Sequence, residues 1–482
     1  MKITPIIGLE VHVELKTKSK MFCGCDAHHF HVEPNTHTCP VCLGLPGALP
    51  VPNKTACEYC MKLGLALGCS INEDTFFERK NYFYPDLAKG YQITQLQKPF
   101  AINGQLKLDN STVRINRAHM EEDTGKSVHQ TIEGVDSTLL DFNRSGVPLV
   151  EIVSEPDIHS AADAKEFLVK IQQIVRYLGI SDADIEKGSM RCEPTINLEI
   201  EDESGKHYTP LAEIKNVASL TGVMTAIDYE IERQTQKWQE TKEEKSKTNK
   251  TTRGWDAEKL VTFLQRSKEG SADYRYFPEP DIPPIHFSQK EIEVIKETLP
   301  ELPAQKLARY LSEYSLSDYD ASLLTETPTI ATAYDSALGD SKDSDFAKFV
   351  ANQFLGTLKT HLNESQEELD PEKIIHSNFL SVYQSYKDSK LSSSAVKQVI
   401  LESYLSGREP LEIAKDKGLI QNSDSSAIEA LAKKVIADNP KAVEDYQKNP
   451  LSIGFLIGQL MKESKGSANP QMAKEILEKL LK

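Results

Sequence analysis

Two stretches of the chain alternate apolar and polar residues with the period of two that predicts a half-buried β-strand. The first runs from Ile7 to Leu15 and places Glu10, His12 and Glu14 on one polar face. The second runs from Arg191 to Ile200 and has a similar polar face. The polar residues of this second strand are Glu193, Thr195, Asn197 and Glu199.

Acidic residues on a strand are more often part of a solvated surface than of a functional site. Two polar strand faces that carry His and Glu can also converge on a hard cation such as Mg²⁺, which prefers oxygen ligands. Pro194 has no amide hydrogen, and therefore it predicts either an edge strand or the start of the strand pairing.

Several other segments of the chain carry helix signals or mark connections. Residues 53–68 resemble a helix, and the sequence Ser160–Asp163 begins another with a capping pattern. Residues 237–258 are strongly polar and predict an exposed connection, whereas the block 273–281 predicts an ordered return to the first domain. A capping box at Ser288–Glu291 then begins a mainly helical region that ends in short amphipathic helices.

The composition is that of a globular protein long enough for about three domains. Of the 482 residues, 39% are hydrophobic and 27% are charged. The net charge of −16 argues against a protein that coats nucleic acid with a general basic surface, although the last 35 residues carry six Lys against three Glu. No apolar run approaches the roughly 18 residues of a membrane span, and a cytoplasmic location without membrane contact is the prediction.

Seven of the eight cysteines precede residue 70, and four of them have the spacing of a zinc knuckle. The pairs Cys23/Cys25 and Cys39/Cys42 are separated by thirteen residues. Four thiolates leave no open coordination position, so such a zinc would be structural. Reduced structural thiols and a disulfide are the alternatives, and histidines in the loop offer replacement ligands. These histidines are His28, His29, His31 and His37.

A second cysteine pair has a different interpretation. Cys57 and Cys60 lie with Met61 on the apolar side of the helix at 53–68, which favours ordinary packing.

Three blocks between residues 79 and 157 combine charged, aromatic and glycine residues at high density. They are Arg79–Asp86 with Lys89–Gln92, His119–Ser127, and Asp141–Asp157. A nucleotide and its metal need both signs of charge close together, so these blocks favour a site for a phosphorylated substrate over solvated loops. The segment Thr124–Ser127 resembles the end of a P-loop, but Met120 occupies the position of the required upstream glycine, which excludes that motif.

Together these motifs resemble one family, the B subunit of the aspartyl/glutamyl-tRNA amidotransferase of the GatCAB complex. The resemblance spans nearly the whole chain. The motifs that carry it are Ile7–Glu14, Arg79–Asp86, His119–Ser127, Asp141–Asp157, Gly188–Cys192, Glu213–Asn216, Asp273–Asp281 and Gly458–Pro470.

The resemblance implies an enzyme subunit, a ligase that forms C–N bonds. It would use ATP to phosphorylate the side-chain carboxylate of Glu attached to tRNA(Gln), or of Asp attached to tRNA(Asn). Ammonia released from glutamine by the A subunit would then displace the phosphate and give the amide. The sequence leaves open which of the two charged tRNAs is the substrate.

Motif by motif, the resemblance also implies site residues. It implies a magnesium site built from Glu10, His12, Glu122, Glu193 and Glu213, with Glu121 as the alternative to Glu122. It implies contacts to phosphates or to the aminoacyl end from Lys80, Tyr82, Lys126, Arg144, Arg191 and Lys215. Two positions depart from the family pattern: Glu193 stands where Asp is usual, and Ala88 replaces a common Pro.

The family architecture implied is α+β. An antiparallel-sheet catalytic cradle with the zinc knuckle would cover residues 1–292, a helical domain 293–404, and a small helical tail that contacts tRNA 405–482. The implied partners are an amidase A subunit and a small C subunit in a heterotrimer, together with the misacylated tRNA.

Two rival functions stand beside this one. The first is a zinc-stabilised RNA-binding scaffold without its own chemistry. The second is an enzyme that amidates a free small-molecule carboxylate and therefore forms ADP without any tRNA.

Overall fold

The computed structural model describes residues 1–267, 274–421, 425–464 and 468–481. The chain divides into two compact units, Met1–Leu302 and Pro303–Lys482. The first unit combines helices with sheets, and the second is helical, so the predicted α+β class is confirmed. Among the described residues, no helix is both long and apolar enough to cross a membrane.

The strands described in the first unit are β1 (Lys2–Glu14), β2 (Ser70–Ile71), β3 (Asp74–Thr75), β4 (Glu78–Asn81), β5 (Tyr91–Thr94), β6 (Ala101–Lys107), β7 (Thr112–Glu122), β8 (Lys126–Ile132), β9 (Val135–Asp141), β10 (Pro148–Ser154), β11 (Met190–Asp202), β12 (Gly205–Tyr208), β13 (Ala212–Lys215), β14 (Thr251–Asp256), β15 (Val261–Ser267), β16 (Phe277–Pro278) and β17 (Ile285–His286). Its described helices are α1 (Lys54–Ala66), α2 (Ala161–Tyr177), α3 (Leu220–Thr241) and α4 (Gln289–Glu297).

One large sheet organises this unit. Along the described strands its order is β15-β14-β13-β11-β1-β10-β7-β6-β2, with β12 paired to β11. The neighbouring strands are antiparallel except for β13 and β14, which are parallel, so the sheet is mixed rather than purely antiparallel as predicted. Three small sheets of described strands accompany it, of which one is the exposed hairpin β8–β9.

The alternation predicted for the two long strands is confirmed. Ile7, Leu9, Val11 and Val13 are at most 1% exposed and belong to a core cluster that includes side chains of α1, α2 and α3. Because successive side chains of a strand point to opposite faces, the polar residues of β1 lie on the other face of the sheet. The first helix also packs as predicted, since Cys57, Cys60 and Met61 are buried in the same cluster.

Three predictions about the edges of this unit have different outcomes. Pro194 is not on an edge strand, because β11 lies between β1 and β13; the pairing with β13 starts at Thr195, so the alternative interpretation holds. The prediction that residues 237–258 form one exposed connection is wrong. The helix α3 continues to Thr241, and β14 adds a strand inside the sheet. The ordered return near residue 277 is confirmed for the described residues, since β16 pairs with β4.

The second unit has the helices α5 (Pro303–Tyr314), α6 (Asp318–Leu324), α7 (Pro328–Leu338), α8 (Ser344–Asn352), a π-helix (Gln353–Leu358), α9 (Lys359–Ser365), α10 (His376–Lys387), α11 (Ser393–Ser406), α12 (Pro410–Asp416), α13 (Ser425–Asp438), α14 (Pro440–Lys448), α15 (Ile453–Glu463) and α16 (Pro470–Leu481) in its described part. Their buried side chains form two clusters, one between residues 310 and 414 and one between residues 428 and 477. Of the predicted motifs, Asp273 and residues 465–467 lie outside the described residues.

Candidate active site

A cavity of about 770 Å³ lies in the first unit, and residues of β1, β7, β10, β11 and β13 line it. Its walls carry both acidic and basic side chains, as the sequence blocks predict. Eight of the site residues implied by the resemblance line this one cavity. They are Glu10, His12, Lys80, Tyr82, Arg191, Glu193, Glu213 and Lys215.

Strand register aligns the polar side chains of this cavity in rows. His12 lies opposite Arg191 on one side and opposite Glu151 on the other, and Glu151 in turn lies opposite His119. Residues that are directly opposite in an antiparallel pair have their Cβ atoms about 4.5–5.5 Å apart. Four neighbouring strands therefore bring together side chains that are far apart in sequence.

One group of side chains on the cavity wall has the donor atoms of a metal site. His12 Nε2 lies 3.5 Å from Glu121 Oε1 and 3.5 Å from Glu151 Oε2, and His119 Nε2 lies 3.4 Å from the same Glu151 oxygen. One ligand atom from each of His12, Glu121 and Glu151 lies within 4.8 Å of the other two. Glu121 and Glu151 are buried, so the ionisation of each carboxyl group depends on the charge of the other and of the two histidines.

Mutual repulsion and burial shift the protonation of this group. Burial, followed by the charge of Glu151, raises the pKa of Glu10, and the same two causes raise the pKa of Glu121. Burial also opposes the ionisation of Glu151, but His119 and His12 outweigh it and hold the pKa of Glu151 well below its usual range. Against the effect of burial, Glu151 and then Glu121 raise the pKa of His12 to about 9. The group thus concentrates carboxylates beside imidazole nitrogen, a set of donor atoms that suits a cation.

Lysines balance the acids at one side of the cavity. Lys215 Nζ lies 2.7 Å from Glu193 Oε2 and 3.3 Å from Glu213 Oε1, and Lys250 Nζ lies 2.9 Å from Glu213 Oε2. Although burial opposes it, the charge of Glu193 raises the pKa of Lys215, which therefore stays protonated at neutral pH.

A third cation, Lys80, lies near the buried acids. Its Nζ is 5.2 Å from the centre of the Tyr274 ring and 5.8 Å from that of Tyr82. Burial alone would lower the pKa of Lys80, but the charges of Glu121 and other nearby groups raise it. The side chain is thus a fixed positive charge beside the carboxylate group.

Comparison with known proteins gives the family. Residues 5–293 match the model of the GatB/GatE catalytic domain, and residues 333–481 match that of the GatB domain. The B subunit of the aspartyl/glutamyl-tRNA(Asn/Gln) amidotransferase from Thermotoga maritima is 42% identical over 488 residues, which cover 100% of this chain and 99% of the relative. The corresponding protein from Thermosipho melanesiensis is 44% identical over 486 residues and covers 100% of both chains.

The chain belongs to the B-subunit family of aspartyl/glutamyl-tRNA amidotransferases. A third member of this family, from Dehalococcoides mccartyi, is 44% identical over 493 residues that cover 100% of this chain and 99% of the relative. The family resemblance predicted from the sequence motifs is thereby confirmed.

One residue of the family-derived metal set does not lie in the large cavity of this amidotransferase chain. Glu122 Oε1 lies 2.6 Å from Lys89 Nζ and accepts a hydrogen bond of 3.0 Å from the backbone N–H of Ile93. It lines a small neighbouring cavity beside Cys42. Successive residues of β7 face opposite sides, so Glu121, the alternative, lies with His12, and Glu122 faces away from this group.

Two of the predicted phosphate contacts also lie away from the cavity. Lys126 is exposed at the start of the hairpin β8–β9. Arg144 donates hydrogen bonds of 3.0 Å to the carbonyl of Thr124 and 2.8 Å to that of Gly125, so it holds the loop after β7. The structure thus gives Arg144 a positioning contact rather than a place on the cavity wall.

Sequence reasoning did not select three residues that belong to this site. Glu151, His119 and Asp123 all line the cavity. The first two join the cluster of His12, and Asp123 Oδ2 accepts a bond of 2.7 Å from the Arg191 guanidinium. All three occur within the charged blocks, and alignment of β10 with β1 would have pointed to Glu151.

The four cysteines of the predicted knuckle come together in the structure. One sulfur atom from each of the four lies within 4.8 Å of the others, and Cys39 Sγ and Cys42 Sγ are 3.9 Å apart. A tetrahedral zinc with Zn–S bonds of about 2.3 Å separates its sulfurs by about 3.8 Å, so this donor set fits the ion. The backbone N–H of Cys39 also donates to Cys42 Sγ at 3.1 Å.

Electrostatics favour a thiolate within this cluster. A hydrogen bond from Cys23 is the largest of several effects that lower the pKa of Cys42 to about 5, and the Lys20 ammonium contributes. Burial and the neighbouring sulfurs raise the pKa of Cys25 to about 11. Lys20 is itself fully buried, with its Nζ 3.8 Å from Cys42 Sγ and 2.7 Å from the carbonyl oxygen of His37.

Proposed function

We propose that this chain is the component of a tRNA-dependent amidotransferase that activates the side-chain carboxylate of Glu on tRNA(Gln), of Asp on tRNA(Asn), or of both. A carboxylate oxygen attacks the γ-phosphorus of ATP, ADP leaves, and an acyl phosphate forms. Ammonia then attacks the acyl carbon, and phosphate leaves to give the amide. Membership of the B-subunit family supports this assignment.

The observation that carries the proposal is the arrangement of charge in the large cavity. A free carboxylate resists attack by ammonia because oxide is a very poor leaving group, so its oxygen must first become part of a phosphate. Bringing two anions together requires cations and alignment more than covalent help. The cavity supplies Lys80, Arg191 and Lys215 around the buried acids.

The acidic part of the cavity fits a divalent cation. Two buried carboxylates and one imidazole converge within 4.8 Å, and Glu10 lines the same space. His12, Glu121 and Glu151 would hold Mg²⁺, with Glu10 beside them. A bound Mg²⁺ would neutralise charge on the phosphates of ATP.

Protein groups then position the reactants. Lys80 is a fixed cation next to the acids, where it is suited to a phosphate oxygen or to the substrate carboxylate. Lys215 is held by Glu193 and Glu213, and Arg191 is held by Asp123. Because these ion pairs fix the cationic side chains before substrate arrives, less conformational freedom is lost when the phosphates bind.

Further parts of the assignment follow from the family. The cysteine cluster would hold a structural zinc. Residues 1–292 would form the catalytic cradle, 293–404 a helical domain, and 405–482 a tail that binds tRNA together with the cradle. An amidase A subunit that releases ammonia from glutamine and a small C subunit would complete a heterotrimer. The cytoplasm, where tRNA is charged, is the corresponding location.

The first test measures ADP release by the chain co-expressed with candidate A and C subunits. The assay contains ATP, Mg²⁺, ammonium and Glu-tRNA(Gln), with uncharged tRNA as the control. ADP release only with the charged tRNA, accompanied by Gln-tRNA(Gln), is the expected result. ADP release without any tRNA would indicate amidation of a small molecule. Absence of ADP, despite confirmed tRNA binding, would favour the RNA-binding scaffold. Asp-tRNA(Asn) in a parallel reaction determines the substrate range.

A variant separates chemistry from binding. Glu10→Gln keeps the shape of the side chain but removes its charge from the cavity wall. We expect it to abolish tRNA-dependent ATP turnover while the Kd for tRNA stays close to that of the unmodified protein. Equal loss of turnover and tRNA affinity would favour the scaffold.

A further inference from the structure

A second polar and aromatic cavity lies within the helical unit, far along the chain from the proposed catalytic residues. Its volume is about 460 Å³, and α8, α10 and α11 supply most of its wall. Three aromatic side chains form one side: the ring centre of Phe349 lies 5.2 Å from that of Tyr383 and 5.8 Å from that of Tyr386. Tyr386 is 41% exposed, so one ring of this group is open to a planar partner.

Three lysines surround these rings. Lys348, Lys387 and Lys397 come from three different helices and line the cavity, against the single acid Asp345. Among the described residues none of the three lysines forms an ion pair, although the chain as a whole carries a charge of −16. Lys387 Nζ lies 5.3 Å from the centre of the Tyr383 ring. This is a local excess of positive charge on an acidic protein.

Another basic cavity, in the first unit, differs from this one in the ion pairing of its basic side chains. It is lined by Arg233, Lys237, Lys250 and Arg253 among other residues. Each of these four cations has a carboxylate within 4.0 Å, from Glu230, Glu243 or Glu213. Each cation of that cavity is therefore paired within the protein, whereas among the described residues no carboxylate lies within 4.0 Å of the three lysine ammonium groups in the helical unit.

A buried hydroxyl provides an independent observation. Tyr383 is 7% exposed, and within the described structure its hydroxyl has no hydrogen-bond partner. A buried hydroxyl without a partner destabilises the fold, so such groups are rare unless a ligand or water satisfies them. The π-helix also begins at the wall of this cavity, with Gln353, and π turns are frequent at functional sites.

We propose that this cavity binds an unpaired nucleotide of the tRNA, with the base against Tyr386, a base edge bonded to the Tyr383 hydroxyl, and flanking phosphates near the three lysines. Aromatic rings that stack bases beside cations that contact the backbone are the recurring features of single-stranded RNA recognition. The inference rests on the proposed function, because that function makes tRNA the partner, but it places a contact far along the chain from the catalytic residues.

The experiment measures binding of the complete complex to an uncharged tRNA(Gln) transcript at several salt concentrations. Tyr386→Ala removes the stacking ring and should raise the Kd about 5- to 150-fold, because stacking contributes about 1–3 kcal/mol per base. Tyr386→Phe keeps the ring and should bind like the unmodified protein. Tyr319→Ala is the matched control, since Tyr319 is 71% exposed on α6 of the same unit.

Two further variants test the hydroxyl and the lysines separately. Tyr383→Phe removes only the unpartnered hydroxyl, leaves the buried ring in place, and should raise the Kd about 2- to 10-fold. The triple change of Lys348, Lys387 and Lys397 to Ala should weaken binding and reduce the slope of log Kd against log salt by about 0.7 for each phosphate that is no longer neutralised. Lys359→Ala is the control, because Lys359 is paired with Glu326.

Kinetic measurements test the nucleotide site and the catalytic function independently. We expect Tyr386→Ala to raise the tRNA concentration that gives half-maximal ADP release and to leave kcat at saturating charged tRNA unchanged. Unchanged tRNA affinity in Tyr386→Ala and in the lysine triple variant would overturn the nucleotide site while the catalytic function stood. A raised KM for ATP with unchanged tRNA affinity would also overturn it, since the ligand would then be a free nucleotide. Failure of the unmodified complex to release ADP in the presence of charged tRNA, with these binding effects intact, would instead reject only the catalytic function.

Discussion

The first unit contains two clusters of ligating side chains that are built in opposite ways. The cysteine cluster is local, because all four sulfurs come from residues 23–42. Within each of its two pairs, the cysteines are close in sequence. The cluster of His12, Glu121 and Glu151 is assembled from three strands, and it exists only because β1, β10 and β7 pair in one register. A motif in the sequence predicts the first kind of site directly, whereas the second depends on the fold.

The two clusters also differ in what surrounds them. The four sulfurs would fill all four tetrahedral positions of a zinc ion, and one buried ammonium, Lys20, lies against Cys42. The carboxylates instead face a cavity of about 770 Å³ that is lined by further acids and cations. A closed set of ligands is suited to stability, and an open set leaves space for substrate. Substitutions in the two clusters should therefore separate these properties.

The largest expected effect distinguishes Glu121 from its neighbour Glu122. Glu121→Gln removes a carboxylate from the proposed Mg²⁺ ligands, so kcat for tRNA-dependent ADP release should fall at least about 100-fold. Its thermal stability should not fall, because burial and Glu151 already raise the pKa of Glu121 and make its charge unfavourable in the fold. Steady-state kinetics at saturating Mg²⁺ and a melting curve measure both properties.

Glu122→Gln is the matched control with the opposite expectation. Lys89 has only 10% of its side chain exposed, and the substitution leaves its ammonium without a carboxylate partner. We expect a loss of about 1–3 kcal/mol in the free energy of unfolding and a kcat within a few fold of the unmodified protein. A larger loss of kcat in Glu122→Gln than in Glu121→Gln would reverse the assignment made from the geometry.

Glu121 and Glu122 also show which part of the site could not be predicted from the sequence. The two strand faces of Glu10 and Glu193 could be predicted because β1 and β11 alternate regularly. In β7 the alternation reverses: Val113 and Ile115 are buried in the core, and so are Ala118 and Met120. The cause is an extra residue in β7 opposite β10, where the register shifts, and a bulge of this kind turns the following side chains to the other face.

The second prediction concerns the closed cluster. Cys42→Ser removes one of four predicted zinc ligands, so bound zinc should fall from about one ion per chain to a small fraction, and the melting temperature should fall with it. Cys57→Ala is the control, because Cys57 is a buried cysteine that packs in the hydrophobic core on α1. Metal analysis and thermal unfolding of both variants test the difference. Full zinc content in Cys42→Ser would contradict the four-cysteine site.

A smaller effect is expected from the cation beside that cluster. Lys20→Met keeps the four cysteines but removes the ammonium near Cys42 Sγ, so a chelator should extract zinc about 10- to 100-fold faster. The variant should still bind Co²⁺ with the absorption of thiolate coordination, which a collapsed site would lose. Lys18→Met, at an exposed position in the same loop, should release zinc at the unmodified rate. Equal rates in the two variants would show that the buried ammonium does not stabilise the metal cluster.

The smallest effect should follow from Glu193→Asp, which restores the residue that the family pattern favours. Glu193 lies 2.7 Å from Lys215, and Lys215 also contacts Glu213 at 3.3 Å. Because Glu213 still holds Lys215 when the Glu193 side chain is shortened, kcat/KM for the charged tRNA should change less than about tenfold. A change of about 100-fold or more would mean that the carboxylate at position 193 binds the cation itself. That result would extend the open cluster by one strand, from β1 across to β11, and would make its function depend on the length of a single side chain.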